Sequence, residues 1–272
     1  MLRVFFVLAA LFAQETKKGP PPRSKAEVEK VLALATDTGP EKPRAIRIAL
    51  VTGPKDHGPG EHDYPAWVAK WKDLLAKQPG VTVTTSFKEP SRDDWEKADL
   101  MVFYFMDGKF WNDDRYKDLD AYLARGGGLA LMHSAVIPDR EPEKLAERIG
   151  FAWIQKTTKY RHGPLDLKFA DHAITRGLKE AHFEDESYWP FAGDPSKVEI
   201  LATQVEEGEA RPIIWTRKHE KGRVYASLHG HYSWTFEDPF ARLLMLRGFA
   251  WAAGEPLDRF KPLVTEGVTL RD

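Results

Sequence analysis

The chain has 272 residues, with 40 Lys and Arg against 41 Asp and Glu, a formal net charge of −1, and no cysteine. Charges so nearly balanced, with no long basic or acidic block, give no electrostatic reason to expect nucleic acid or an anionic membrane as partner. The lack of cysteine excludes disulfides, thiolate–metal sites, a cysteine nucleophile and a lipid-modified cysteine.

The chain opens Met1-Leu2-Arg3, followed by an apolar run from Val4 to Ala13. One early charge and about ten apolar residues fit a secretory signal, and the run falls short of the ~20 residues that cross a bilayer. The expectation is a signal peptide over residues 1–13 and export to the periplasm or the extracellular space. No second hydrophobic span follows, so no membrane span is expected in the mature chain. Residues 14–44 read as a linker containing Pro20-Pro21-Pro22 and a short helix over 24–35, with Val28, Val31, Leu32 and Ala35 on one face.

What remains, about 230 residues, suits one α/β domain. It is expected over residues 45–262, with 263–272 as a tail. Apolar runs predict strands at 46–52, 81–87, 100–105 and 129–132. Helices are predicted at 64–77, where Trp67, Trp71, Leu74 and Leu75 keep helical spacing, and from Asp113 to the Gly126-Gly127-Gly128 stop. This alternation of helices with near-continuous apolar strands predicts a mostly parallel sheet with helices on both faces. The second half differs, with strand candidates at 165–169, 198–203, 212–216 and 222–228, some pairing antiparallel. A buried helix closes the domain at 239–253, capped by Asp238 and stopped by Gly254.

In open parallel sheets ligands gather beyond the carboxyl ends of the strands. Three polar clusters fall there: residues 56–63 with His57 and His62 after the first strand, His133-Ser134 after the fourth, and His229-Gly230-His231-Tyr232 after the last. Convergence of several imidazoles at strand ends predicts a functional cluster, because neutral imidazole is a common metal ligand and a general base near pH 7. His57, His62, His133 and His231 are therefore candidate ligands for one divalent metal such as zinc. His133, His231 and Glu186 are the candidate acid–base groups, Glu186 also serving as a possible ligand. His162, His172, His182 and His219 read as solvated or turn residues, and of His229 and His231 one is expected to pack. Glu186 lies beside Tyr188-Trp189, an aromatic pair suited to the C–H faces of a sugar. With Asp107, Trp111, Ser134 and Tyr232, and with His57 and His62, these form the candidate substrate contacts.

Five stretches carry a resemblance: residues 55–64 (KDHGPGEHDY), 126–135 (GGGLALMHSA), 185–188 (DESY), 230–232 (GHY) and 238–256 (DPFARLLMLRGFAWAAGEP). In order and spacing the chain resembles the ThuA-like, trehalose-utilisation family over roughly residues 47–262. The resemblance implies a flavodoxin-like, class I glutamine amidotransferase-like sandwich. Amidotransferases of this fold carry a nucleophilic cysteine after the strand that 129–132 resembles, whereas here the turn is His133-Ser134, so thiolate attack on glutamine is excluded. Met132-His133-Ser134-Ala135 also lacks the glycines of a serine nucleophile elbow. His229 stands where relatives commonly have an apolar residue.

The family resemblance implies a small carbohydrate substrate, a trehalose-type disaccharide or a keto-sugar, and no nucleotide or flavin. The preferred expectation is an enzyme using a His/Glu acid–base or metal site for isomerase, lyase or hydrolase chemistry. The alternative is a non-catalytic carbohydrate-binding accessory protein.

Overall fold

The computed structural model describes residues 18–272; the proposed signal segment 1–13 lies outside the described residues. Eleven strands and six α-helices are present among them: α1 Lys25–Leu32, β1 Ile46–Thr52, α2 Tyr64–Ala76, β2 Val81–Phe87, α3 Arg92–Lys97, β3 Leu100–Tyr104, α4 Asp113–Ala124, β4 Gly128–Met132, α5 Pro142–Ile149, β5 Ala152–Trp153, β6 Lys159–Phe169, β7 Glu180–Trp189, β8 Phe191–Ala192, β9 Glu199–Glu206, β10 Glu209–His219, β11 Gly222–Ser227 and α6 Pro239–Ala253.

Nine strands form one sheet in the order β2-β1-β3-β4-β11-β10-β9-β6-β7. The first five pair in parallel, and the β11-to-β7 part is antiparallel. The parallel strands β3 and β4 are buried at every residue, as unbroken apolar runs require when both faces of the sheet are covered. Helices α2 and α6 pack side by side on one face through Trp71 and Phe249, whose rings lie 5.6 Å apart. On the other face α4 and α5 are joined by a two-pronged Arg148–Asp120 pair, both contacts at 2.6 Å. Close packing at the sheet core requires glycine at Gly128, where a Cβ would lie 2.3 Å from the Ala252 carbonyl oxygen in α6.

Cap chemistry sets α6 as the sequence implies. Asp238 accepts from Phe240 N at 2.8 Å and Ala241 N at 3.1 Å, and Gly254 closes the helix at φ +72°. This apolar helix buries two arginines, each held by hydrogen-bond partners, although Arg247 Nη2 has none. Arg247 pairs with Asp258 at 2.7 Å, and Arg242 donates to the carbonyl oxygens of Phe236 and Glu266.

Three features depart from the sequence reading. Strand β6 begins six residues before the expected 165, and β7 runs through Glu184-Asp185-Glu186, where three carboxylates hide the strand signal. Helices α3 and α5 were not anticipated. The tail 263–272 begins buried at Leu263 and Val264, and its end pairs with the N-terminal appendage through Lys25 N and Arg271 O at 2.8 Å. No helix among the described residues is long and apolar enough to cross a membrane.

Candidate functional site

The order β2-β1-β3 reverses direction at β1, so the connections leaving β1 and β3 diverge and open a crevice at the carboxyl end of the sheet. The loop after β1 brings Asp56, His57, Glu61 and His62 there, and the turn after β4 brings His133. The loop after β11 brings His231, and the end of β7 brings Glu186 and Tyr188. The first and last loops are tied together: His62 N donates to His231 O at 2.9 Å, and Ser233 N donates to Gly60 O at 2.8 Å. Asp185 fixes the last loop from below. Its buried carboxylate accepts from Gly230 N and His231 N at 3.0 Å each, and from Thr235 Oγ1 at 2.5 Å. It is scaffold for the site rather than a lining group.

Two of the histidines sit in left-handed backbone, His62 at φ +43° and His133 at φ +53°. For a non-glycine residue that conformation costs about 1–3 kcal/mol and persists where its surroundings impose it. At His133 it turns the chain sharply out of β4 and aims the imidazole back over the sheet. Gly230 lets the last loop approach: a Cβ there would lie 3.2 Å from His133 Cβ, and its own φ is +133°.

Four donor atoms converge. His62 Nε2 lies 2.9 Å from His133 Nε2 and 3.1 Å from His231 Nδ1, and Glu186 Oε2 lies 3.3 Å from both His133 Nε2 and His231 Nδ1. All four residues are buried, and their four ligand atoms lie within 4.8 Å of one another. A tetrahedral ion with ligand bonds of about 2.0–2.1 Å needs ligand–ligand edges of about 3.3 Å, so the four could hold one.

The outer nitrogens fix the tautomers. His133 Nδ1 donates to Leu228 O at 2.7 Å, and His62 Nδ1 donates to Asp56 Oδ1 at 2.9 Å, with Tyr64 Oη also 2.8 Å away. A carbonyl or carboxylate only accepts, so in the neutral rings both Nε2 lone pairs face the centre. His231 turns Nε2 toward Glu61 Oε1, 3.7 Å away, and Nδ1 toward the centre.

Burial, reinforced by His133 and His57 and only partly opposed by Asp56, lowers the His62 pKa to about 4. Burial also resists protonation of His133, but the Glu186 hydrogen bond and charge outweigh it and hold that pKa above the ordinary value. Glu186 is held well below the usual carboxylate range because His133 and His231 overcome its burial. The centre therefore carries one firm negative charge and attracts a cation or a proton.

The other predicted residues divide. His57, Asp107 and Tyr188 line the cleft beside the cluster with His62 and Glu186. Tyr188 Oη lies 2.9 Å from Glu186 Oε2 and 3.0 Å from His133 Nε2. His57 stands outside the four-donor group, its Nδ1 on Asp56 Oδ1 at 2.8 Å. Ser134, Trp111, Trp189 and Tyr232 do not line the cleft. Ser134 Oγ donates to Phe105 O at 3.1 Å, the Trp111 indole N–H donates to Ala135 O, and the Trp189 indole N–H donates to Glu207. Tyr232 stacks on Trp234 and backs the His231 ring edge-on at 4.5 Å. His229 packs against Phe183 with neither ring nitrogen hydrogen-bonded, and burial lowers its pKa.

Sequence reasoning missed His162. The β6–β7 register sets it opposite Glu186, and its Nε2 lies 2.7 Å from Glu186 Oε1 on the open side of the cluster. Cross-strand partners share a face of the sheet. The signal was available only to a reader who had extended β6 and β7 to their full length.

The profile of the trehalose-utilisation family, ThuA, matches residues 49–252. No curated protein matches the sequence. Among solved structures, a ThuA-like protein from Parabacteroides merdae ATCC 43184 superposes with a TM-score of 0.60 at 20% identity, over 78% of this chain and 92% of that one. Another from Bacteroides uniformis ATCC 8492 gives 0.60 at 16% identity, over 80% of this chain and 97% of that one. A β-galactosidase from Bacillus circulans sp. alkalophilus gives 0.52 at 15% identity, over 76% of this chain and 31% of that one, a likeness of fold alone. With the family profile spanning most of the domain and the parallel sheet in the expected arrangement, the chain belongs to the ThuA, trehalose-utilisation, family.

Proposed function

We propose that the protein is an exported enzyme of carbohydrate chemistry, in which His62, His133, His231 and Glu186 hold one divalent ion such as zinc and the cleft in front of them receives a sugar or keto-sugar. The observation that carries the metal is the set of enforced tautomers. Leu228 O and Asp56 occupy the outer nitrogens of His133 and His62, so in the neutral rings their inner lone pairs meet His231 Nδ1 and an ionised carboxylate. Inward-facing acceptors of this kind favour a cation at their centre, and in its absence a proton between His133 and Glu186 takes that place.

A bound ion would polarise a carbonyl or acidify a hydroxyl of the substrate. The chain's own groups handle the proton. His162, on the cleft side of Glu186, and His57, at the mouth beside Asp56, are placed to accept or return one. Tyr188 Oη donates to Glu186 Oε2 and so orients the carboxylate. The carbohydrate half of the proposal rests on the family description and on the cleft, about 610 Å³ and lined by aromatic and polar side chains. Export rests on the charge-then-apolar pattern of residues 1–13.

Elemental analysis of protein purified without chelators, then incubated with zinc, manganese or iron salts and dialysed, tests the metal. About one ion per chain is expected, and its loss in His133→Ala; a wild-type chain that retains none of the three sinks the proposal.

A further inference from the structure

Two aromatic rings in the cleft have no part in the cluster: Trp153, half-buried with one side against the core, and Tyr160. Tyr160 is 61% exposed, an unusual position for a tyrosine inside a concave site. Trp153 stands beside it in the two-stranded β5–β8 sheet, with ring centroids 6.4 Å apart and planes inclined by 34°. The Trp153 ring is braced edge-on by Tyr188 at 5.1 Å. Tyr160 and His162 lie two apart in β6 and so on one face of the strand, their rings 5.6 Å apart, and His162 in turn reaches Glu186. The aromatic surface thus leads directly to the four-donor centre.

The charge of the cleft narrows what can lie on that surface. Among the described residues lining it, Lys109 is the one Lys or Arg, set against Asp107, Asp139 and Glu186. Phosphate and carboxylate recognition uses Arg forks or clustered cations, and this wall supplies none. Carboxylates instead accept from neutral hydroxyls.

We infer that Trp153 and Tyr160 form a stacking platform for a neutral sugar ring, and that the cleft selects uncharged saccharides against sugar phosphates and uronates. An apolar C–H face of the ring covers the two aromatic faces, and its hydroxyls donate to Asp107 and Asp139 at the rim. The sugar held there extends its next ring or substituent past His162 toward the cluster. The inference deepens the proposed carbohydrate function and rests on it, but the platform itself requires no ion.

The test is calorimetric titration of the chelator-treated protein, in which no ion offers an anion site, with trehalose, sucrose, maltose and cellobiose, and separately with glucose 6-phosphate and glucuronate, the disaccharides being repeated after zinc incubation. At least one neutral disaccharide is expected to bind, and both charged sugars at least about tenfold more weakly. Tyr160→Ala, at an exposed position that should not disturb folding, is expected to weaken the disaccharide about tenfold. Tyr160→Phe should restore binding to within about twofold, because the ring and not the hydroxyl stacks. Zinc stoichiometry should stay unchanged in both variants. Disaccharide binding unchanged in Tyr160→Ala, tighter binding of a charged sugar, or no binding of any neutral disaccharide each overturns the platform. Loss of zinc from the wild type with the Tyr160 dependence intact overturns only the metal reading.

Discussion

Two buried histidines two residues apart on one loop give the sharpest test of the site. His231 Nδ1 lies 3.1 Å from His62 Nε2 and 3.3 Å from Glu186 Oε2, whereas His229 has neither nitrogen bonded and packs on Phe183. Sites of four protein ligands bind zinc with about 10–16 kcal/mol of apparent free energy, so one ligand accounts for about 3 kcal/mol. His231→Ala should therefore raise the zinc Kd by about 10²-fold. His229→Leu removes two unsatisfied polar atoms from an apolar place. It should leave the zinc Kd within about twofold and stabilise the fold by about 1 kcal/mol, the scale of relieving a buried polar group. Competition against a chromophoric chelator reads the Kd. Urea unfolding of the chelator-treated proteins reads the stability. Zinc affinity unchanged in His231→Ala, or lost in His229→Leu, would refute the assignment of the inner ligands.

Stability should also depend on pH in a defined window. His62 titrates near 4 in the folded chain and near 6.5 unfolded, so the stability it contributes is complete above pH 6.5 and is lost as pH falls toward 4. The raised pKa of His133 acts elsewhere: its contribution is complete below 6.5 and fades as pH rises through its folded pKa, while Glu186 matters only below about 4.5. Urea unfolding with chelator present should thus show a loss on the order of 2–3 kcal/mol between pH 6.5 and 4.5 that is absent in His62→Gln; equal slopes in both proteins would count against the buried neutral ring. Asp185→Asn replaces a carboxylate that accepts from three backbone N–H groups, of Glu186, Gly230 and His231, and from Thr235 by an amide with a single acceptor oxygen. It should cost about 2–3 kcal/mol and weaken zinc binding through the displaced His231 loop, and a variant equal to wild type in both would remove Asp185 from that role.

Much of this molecule is written locally in its sequence. The runs at β1, β2, β3 and β4 are short, apolar and ended by turn residues, so the strands could be placed to within a residue or so. The Asp238 cap and the Gly254 stop gave α6 its bounds for the same reason, since hydrogen bonds to the first N–H groups and a left-handed closing residue are local requirements. That His62, His133 and His231 would gather also followed from sequence, because strand order is not needed to know that loops after parallel strands share one edge.

The choice among those residues belonged to the tertiary structure. The sequence reading names His231 rather than His229 as the candidate ligand, but local pattern does not say why; the φ of +133° at Gly230 breaks the alternation and sends one ring into the core and the other to the centre. Trp111 and Trp189 look like sugar platforms beside their motifs, yet both indole N–H groups are spent on interior or strand-edge partners, and Trp153 and Tyr160 face the cleft instead. Glu186 and His162 meet across the β6–β7 ladder, 24 residues apart in the chain, through a register that no local pattern specifies. Propensity and capping act over a few residues and can be read in order. Which face a side chain finally presents depends on strand pairing and backbone turns, and those are settled only when the whole sheet packs.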